Sequence, residues 1–316
     1  MKKNFLKTSL VGLAALLLPA LGSSAPHLLM RNASPAATTD LVYQGNKAPV
    51  MIGNVNVYYI FWTPKTFQDG SAVPAKTVDY EHFINGFIAD FLTGNGLSAI
   101  ASQYYQNVKR SNTYVSNKLF SSGSHVSLTT YPLSGCPEST TSTVNCLEDS
   151  DIRAELQHVI KIKKWSTKNS IFLIYTPNGE DVCDGNGNCT STGNAPFCGY
   201  HNFIPASEST PALVYAVIPF TGANGCGTGT YPQNSPDYET SANTSTLEIF
   251  GMLTNPMLNA WLTPDGREIG DLCQGVAIPA EATWANGMAN HQWNGHSYNL
   301  QPLYDNHVQA CTSIGY

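Results

Sequence analysis

Eight cysteines restrict the folds open to this chain more than any other feature. They stand at Cys136, Cys146, Cys183, Cys189, Cys198, Cys226, Cys273 and Cys311. An even number in an exported chain is typical of disulfides, although four bridges allow roughly a hundred connectivities. Short separation favours a bridge between Cys136 and Cys146, and a bridge from Cys273 to Cys311 would hold the C-terminus. The other four, between residues 183 and 226, are then expected to pair in the same region. Metal-bound thiols are disfavoured because no pair has CxxC spacing.

The N-terminal sequence indicates export. Lys2, Lys3 and Lys7 precede an apolar run at 11–21, and small residues follow at 22–25. This layout is that of a cleavable signal peptide, and the run is shorter than the about 20 residues that span a bilayer. We therefore predict a signal peptide over 1–24, cut between residues 22 and 25. The product should be secreted and extracellular, after periplasmic transit if the source is Gram-negative.

Composition divides the rest of the chain and limits its partners. Residues 25–47 are rich in Ala, Ser, Thr and Asn and predict a flexible lead-in, and 48–316 predict one globular domain. The chain has 16 basic and 22 acidic residues; without the three leader lysines, 13 remain against 22, a net charge near −9. Such a surface disfavours nucleic acid and anionic membranes. No later segment is apolar enough for a membrane span, and a monomer is expected.

Strand and helix patterns alternate along the domain. Residues 55–62 are almost continuously apolar, as in a central strand covered on both faces. Apolar residues spaced three and four apart between 80 and 92 predict a helix. Further elements are predicted as a hairpin-like pair at 113–115 and 126–131, a helix after residue 150, strands at 171–175 and 213–220, and a helix at 246–254. The fold class predicted is α+β, a single three-layer domain with a central mixed sheet and a loop-rich, disulfide-stapled C-terminal part.

A set of short segments, taken in order, resembles a known family. They are NVNVYYIFW (54–62), a helical stretch ending in SQYYQN (102–107), SIFLIYTPNG (170–179), CGYH (198–201), YAVIPF (215–220), 247–256, EIGDLC (268–273) and a run at 293–301. Together they resemble the Exordium-like (phosphate-induced protein) family of plant extracellular proteins, and more closely its secreted microbial relatives. The resemblance covers about residues 50–313.

The resemblance carries an expectation about metal chemistry. In many relatives the segment matching 247–256 reads like S-H-E-x-x-E-A-x-T-[DN]-P, which resembles the helix of zinc peptidases and implies a zincin-like fold. In such enzymes histidines bind Zn²⁺ and the Glu deprotonates the bound water. Here Leu247 stands at the histidine position and Gly251 at the second acidic position. A leucine cannot bind zinc, so we expect no metal and no cofactor.

Four residues are the candidates for a remaining active site. Glu248 is either a remnant general base or the last residue of an S-x-x-E capping box that begins at Ser245. His201 is either an acid–base group or a structural residue that needs one hydrogen bond. Glu268 and Asp271 could bind Ca²⁺ or act as acid and base, or could lie in a solvated loop in which Asp271 accepts hydrogen bonds from nearby amides.

Two other features have weaker functional interpretations. Asp184, Asn186 and Asn188 resemble the opening of a calcium loop, but the turn glycine and the bidentate Glu of such a loop are missing. Aromatic residues are frequent in the C-terminal third, where they either stack on sugars or pack a loop-rich region. They are Trp261, Trp284, Trp293, Tyr298 and Tyr304.

Two functions from different classes follow. The first is a non-catalytic member of the family, a pseudoenzyme that binds an extracellular glycan or protein. The alternative is a secreted hydrolase, a zincin-like peptidase relative with an atypical site, and only that alternative would require zinc. Serine hydrolase chemistry has no support because the chain has no G-x-S-x-G elbow.

Overall fold

A computed structural model of the chain describes residues 25–30, 39–45, 48–136, 144–190, 197–208, 210–222, 225–276 and 289–315. The predicted signal peptide at 1–24 lies outside the described residues. None of the described helices is both long and apolar enough to cross a bilayer.

The described elements comprise short and long strands, four α-helices and one 3-10 turn. The strands are β1 His27–Met30, β2 Val42–Tyr43, β3 Val55–Trp62, β4 Tyr105–Val108, β5 Ser111–Tyr114, β6 Leu119–Ser127, β7 Cys146–Glu148, β8 Ser170–Tyr175, β9 Asp181–Cys183, β10 Phe197–Ile204, β11 Leu213–Ile218, β12 Trp261–Leu262, β13 His291–Trp293, β14 His296–Tyr298, β15 Leu303–Asp305 and β16 Ala310–Thr312. The helices are α1 Thr77–Thr93, α2 Asn95–Ala101, α3 Asp149–Lys163 and α4 Pro236–Thr254, and the 3-10 turn is Asp271–Cys273.

A six-stranded mixed sheet organises the domain, in the order β1-β10-β11-β8-β3-β6. The strands β6, β3, β8 and β11 are parallel, whereas β10 runs antiparallel to β11 and β1 runs antiparallel to β10. Residues after β12 form small two-stranded ribbons, including β13–β14 and β15–β16. The predicted α+β class with a central mixed sheet is therefore confirmed.

Each face of the sheet packs against helices, which makes three layers. Along β3, Val57, Tyr59 and Phe61 point into a core shared with α1, α2 and α4, while Tyr58 and Ile60 point into a core shared with α3. The strands β8 and β11 alternate in the same way. Because these three strands are covered on both faces, they are apolar at nearly every position, as the sequence pattern predicted.

Two sequence-based predictions about elements are wrong. The segment 25–47 is not wholly a flexible lead-in, because His27–Met30 adds a strand to the sheet edge and Leu41 is buried. The predicted hairpin does not form either: β5 pairs with β4, and β6 joins the sheet parallel to β3. The reason is that β6 is an edge strand with several exposed polar residues, so it lacks the apolar pattern of β3.

All eight cysteines are paired, as predicted. The bridges are Cys136–Cys146, Cys183–Cys189, Cys198–Cys226 and Cys273–Cys311. Two of them are the bridges named from the sequence, and the other two lie within 183–226. Four disulfides fit a protein of an oxidising, extracellular compartment.

Candidate functional site

The four candidate residues are far apart in the sequence but lie close together at the edge of the sheet formed by β1 and β10. A fifth residue joins them. His201 lies on β10 and Glu248 on α4, which packs over that strand. Glu268 precedes the 3-10 turn that begins at Asp271. His27 on β1 completes this group, which we call the histidine–carboxylate cluster.

His201 is the centre of the cluster. Its side chain is fully buried, and its Nδ1–H donates to Glu248 Oε2 over 3.0 Å. Its Nε2 lies 3.3 Å from Glu268 Oε1. Two carboxylates therefore flank one imidazole, which is the surrounding of an imidazolium ion rather than of a neutral histidine.

His27 lies on the side of the cluster that is partly exposed to solvent. Its Nε2–H donates to Asp271 Oδ2 over 2.7 Å, and its Nδ1 lies 3.8 Å from Glu268 Oε1. The same Asp271 oxygen accepts a hydrogen bond from the backbone N–H of Glu268. Glu268 also accepts a hydrogen bond from Asn255 Nδ2 at the end of α4. The prediction of a solvated loop is wrong for Glu268, which is only 3% exposed. Its other part, that Asp271 bonds to a nearby amide, agrees with the hydrogen bond from the Glu268 backbone.

Glu248 does not cap a helix. The helix α4 begins at Pro236, ten residues before the position predicted, so Glu248 lies in its middle and is buried. The N-terminal half of α4 was missed because it is polar, with no apolar stripe. Its hydroxyl groups are satisfied locally: Thr240, Ser241, Ser245 and Thr246 each donate to the carbonyl four residues earlier.

Two glycines make room for the buried side chains. A Cβ on Gly251 would lie 2.6 Å from Glu268 Oε2 and 2.7 Å from His201 Cε1. A Cβ on Gly199 would lie 3.2 Å from Glu248 Oε1 and 2.6 Å from the methyl carbon of Thr244. The glycine at the position of the second acidic residue of the motif is thus required by the cluster itself.

The carboxylates dominate the electrostatics of both histidines. Burial alone would lower the pKa of His201, but the charge of Glu268 and the hydrogen bonds to Glu248 and Glu268 raise it to about 10. Burial would likewise lower the pKa of His27, whereas the charges of Glu268 and Asp271 raise it to about 9. Both rings are therefore protonated at neutral pH.

The two glutamates respond in opposite directions. Burial raises the pKa of Glu248 above its usual value, against the hydrogen bond from His201. Burial also acts to raise the pKa of Glu268, but the charges of His201 and His27 outweigh it and lower the pKa. Glu268 is thus the principal counter-charge of the two imidazolium rings.

The donor set does not fit the zinc centre of the motif. Leu247 is buried with its side chain 3.2 Å from the Cβ position of Gly270, where it packs as a core residue. An imidazolium has no lone pair for a metal. In the part of the chain that the structure describes, the only three donor residues with ligand atoms within 4.8 Å of one another are Cys136, Cys146 and Cys183, which are all in disulfides.

The space beside the cluster that a ligand could occupy is small. A cavity of about 10 Å³ lies beside it, lined by His27, Leu29, Leu247, Glu248, Glu268, Gly270 and Asp271. This volume holds about one water molecule. Glu248 Oε1 is buried and has no hydrogen-bond partner within the described residues, so a water bound there would satisfy it.

His27 is the residue that the sequence reasoning missed. It follows the predicted signal peptide in a segment without apolar periodicity, and its partner on β10 is 174 residues away (201 minus 27). The only local signal is the short apolar run Leu28-Leu29-Met30 after it. Such a run is too short to predict an edge strand.

The other candidate features are structural. Asp184 accepts hydrogen bonds from the backbone N–H groups of Asn186 and Asn188, so its carboxylate closes a turn beside the Cys183–Cys189 bridge. Of the C-terminal aromatics, Trp261, Tyr298 and Tyr304 are buried in the core, and Trp293 packs against it. Trp284 lies outside the described residues.

Comparison of the chain with family models, with curated proteins and with solved structures finds no match. The resemblance to the Exordium-like family and to zincins therefore stays a prediction. The geometry of the cluster carries the functional argument.

Proposed function

We propose that this chain is a secreted, monomeric binding protein in which a network of two histidines and three carboxylates, the ion network, occupies the position of a zinc-peptidase centre. It acts by holding an extracellular partner without cleaving it. It requires neither zinc nor another cofactor.

The hydrogen bonding of His201 is the observation that carries this proposal. Its two ring nitrogens face Glu248 and Glu268 at 3.0 and 3.3 Å. With a pKa of about 10, the ring is already protonated near neutral pH and is a weak acid there, and a metal would have to displace its proton to bind. The strongest base of the group is thus already protonated.

The burial of the cluster supports the same function. His201, Glu248 and Glu268 are each at most 4% exposed on their side chains. A cavity of about 10 Å³ admits no peptide or sugar, whereas binding sites for small molecules have about 300–1,000 Å³. The partner must therefore bind elsewhere on the surface.

The hydrolase alternative has one observation in its favour. Glu248 Oε1 is a buried polar atom without a partner among the described residues, and buried polar groups are normally satisfied. A water held there would lie beside a carboxylate. Removal of strand β1, which carries His27, would open this side of the cluster.

Glu248→Gln distinguishes the two functions. The exported wild type should contain far less than one zinc per molecule and should leave peptide and polysaccharide substrates intact, with or without chelator. Glu248→Gln should leave partner binding unchanged. Glu155→Gln is the matched control, since Glu155 is a buried carboxylate on α3 that accepts a hydrogen bond from Ser127. Stoichiometric zinc, or a hydrolytic activity lost in Glu248→Gln and kept in Glu155→Gln, overturns the proposal.

A further inference from the structure

A second concave site lies away from the cluster, where three parallel strands end. Loops that follow β3, β8 and β11 surround a cleft of about 360 Å³. Its principal lining residues are Lys76, Tyr80, Asn178, Phe220, Asn234 and Tyr238. In open sheets with parallel strands, ligands bind in the crevice outside the carboxyl ends of the strands. The volume lies in the range of ligand sites.

The floor of the cleft is aromatic. The ring centroids of Tyr80 and Phe220 are 5.1 Å apart, and those of Tyr80 and Tyr238 are 5.5 Å apart. Tyr80 is buried, while Phe220 and Tyr238 are partly exposed. The ring planes of Phe220 and Tyr238 are inclined at 73° to each other, so a ligand ring that stacks on one of them meets the other at an angle. The contacts with buried Tyr80 hold both rings in place.

The rim of the cleft is polar. Lys76, Asn178 and Asp237 are exposed there, so the rim has one basic and one acidic side chain and no excess charge. Among the described residues, the side-chain amides of Asn178 and Asn234 have no hydrogen-bond partner. These amides are each able to donate and to accept hydrogen bonds.

The loop that presents Asn234 is held in place. Glu239 in the first turn of α4 accepts hydrogen bonds from the backbone N–H groups of Gln233 and Ser235, the residues on either side of Asn234. Asn234 itself has a left-handed backbone with φ of 57°. A rim that is fixed before binding loses less entropy when a ligand binds.

We infer that this cleft binds a neutral oligosaccharide, with a sugar ring stacked on Tyr238 beside Phe220 and its hydroxyl groups bonded to Asn178 and Asn234. This inference rests on the proposed function and gives the partner its chemical class. Sugar rings have apolar faces and polar edges, which match an aromatic floor with an amide rim. The balanced rim charge and the acidic chain favour an uncharged ligand over a nucleic acid.

The cleft and the cluster are separable by mutation. Tyr238 and Glu248 lie on the same helix, ten residues apart (248 minus 238). At about 1.5 Å of rise per residue, they are about 15 Å apart along the helix axis. Substitutions in the cleft should therefore leave the cluster intact.

Calorimetric titration of the exported protein with neutral hexasaccharides tests the inference. The panel contains cello-, xylo-, chito-, manno-, malto- and laminari-oligosaccharides. At least one should bind with Kd below about 1 mM. Tyr238→Ala should weaken that binding about tenfold or more, and Asn178→Ala, at an exposed position that does not support the core, should weaken it several-fold. Tyr114→Ala, which removes an exposed aromatic from β5, is the matched control and should not change Kd.

The outcomes separate this inference from the proposed function. Absence of binding to every panel member, or unchanged binding by both Tyr238→Ala and Asn178→Ala, overturns the glycan cleft. Binding of an uncharged peptide library at the cleft, with no sugar bound, overturns the glycan inference and leaves the binding function standing. Release of new reducing ends by the wild type but not by Glu248→Gln overturns the proposed function, while sugar binding by Glu248→Gln would still support the cleft.

Discussion

His27 on β1 lies directly opposite His201 on β10, and their ring centroids are 5.5 Å apart. Two imidazolium rings at this distance repel each other, so the arrangement depends on the carboxylates between and around them. Glu268 approaches both rings, Glu248 bonds to His201 and Asp271 bonds to His27. The N-terminal strand is therefore held partly by ion pairs as well as by its backbone hydrogen bonds.

His27→Ala should destabilise the protein. It removes a charged hydrogen bond to Asp271 and one of the two counter-charges of Glu268, and hydrogen bonds of this type contribute about 1.5–3 kcal/mol. Urea unfolding at pH 6 should show a loss of about 1–3 kcal/mol. His82→Ala, at an exposed position on α1, is the control and should have almost no effect. Equal effects of the two substitutions would contradict a supporting role for His27.

The stability of the protein should fall as the pH rises above neutrality. The pKa values of His201 and His27 are raised from 6.5 to about 10 and about 9 in the folded state. Their stabilising contribution is present in full below pH 6.5 and is lost as the pH rises through these values. Two buried carboxyls act in the same direction, since burial raises the pKa of Glu180 to about 8 and that of Glu239 to about 7.

Urea unfolding at a series of pH values measures this dependence. The free energy of unfolding should be greatest in mildly acidic solution and should fall by on the order of 3 kcal/mol between about pH 6 and pH 9.5. Below about pH 4.5 it should fall again, because the lowered pKa of Glu268 makes its ionised form stabilising. A free energy that is constant or rises from pH 6 to pH 9.5 would refute the ion network.

Gly251→Ala should be strongly destabilising, although alanine normally favours a helix. The added Cβ would meet Glu268 and His201 at 2.6–2.7 Å, so the cluster would have to shift. Overpacking of this kind costs about 1–3 kcal/mol. Gly86→Ala on α1 is the matched control: its Cβ meets nothing within 4 Å, and the substitution should stabilise by about 0.5–1 kcal/mol. Unfolding temperatures that shift in the same direction for both variants would contradict the close packing around Gly251.

The same clash means that the double substitution Leu247→His with Gly251→Glu should fail to create a zinc site.

Thiol titration of the denatured, unreduced protein should find no reactive cysteine. Removal of the Cys273–Cys311 bridge by a double alanine substitution should cost about 2–4 kcal/mol, since it closes a loop of 38 residues. The loss should also disturb Asp271, because Cys273 belongs to the same 3-10 turn. Two or more free thiols in the untreated protein would contradict complete pairing.

The sequence predicted the parts of the fold whose residues have strong local patterns. The strands β3, β8 and β11 are apolar at nearly every position because both of their faces are covered, and α1 has a clear apolar stripe. By contrast, the N-terminal half of α4 is rich in Ser and Thr. This half of the helix can be buried because its hydroxyl groups donate hydrogen bonds to carbonyl groups of the same helix. A hydrophobic pattern does not reveal such an arrangement.

The candidate site was predicted in its residues but not in its arrangement. His201, Glu248, Glu268 and Asp271 were each identified, yet each was assigned a separate structural alternative. Their convergence depends on strand pairing and helix packing over long sequence separations, for which a single sequence gives no signal. His27 was missed for the same reason, since only its pairing with β10 brings it to the cluster.

Nitrogen chemical shifts of the His201 ring between pH 6 and pH 9 measure directly whether the ring carries a charge. They distinguish an imidazolium from either neutral tautomer and from a metal-bound ring. Both ring nitrogens should remain protonated up to about pH 9, because Glu248 and Glu268 stabilise the charged form. A neutral or zinc-bound His201 ring at pH 7 would contradict the ion network and favour a hydrolytic centre.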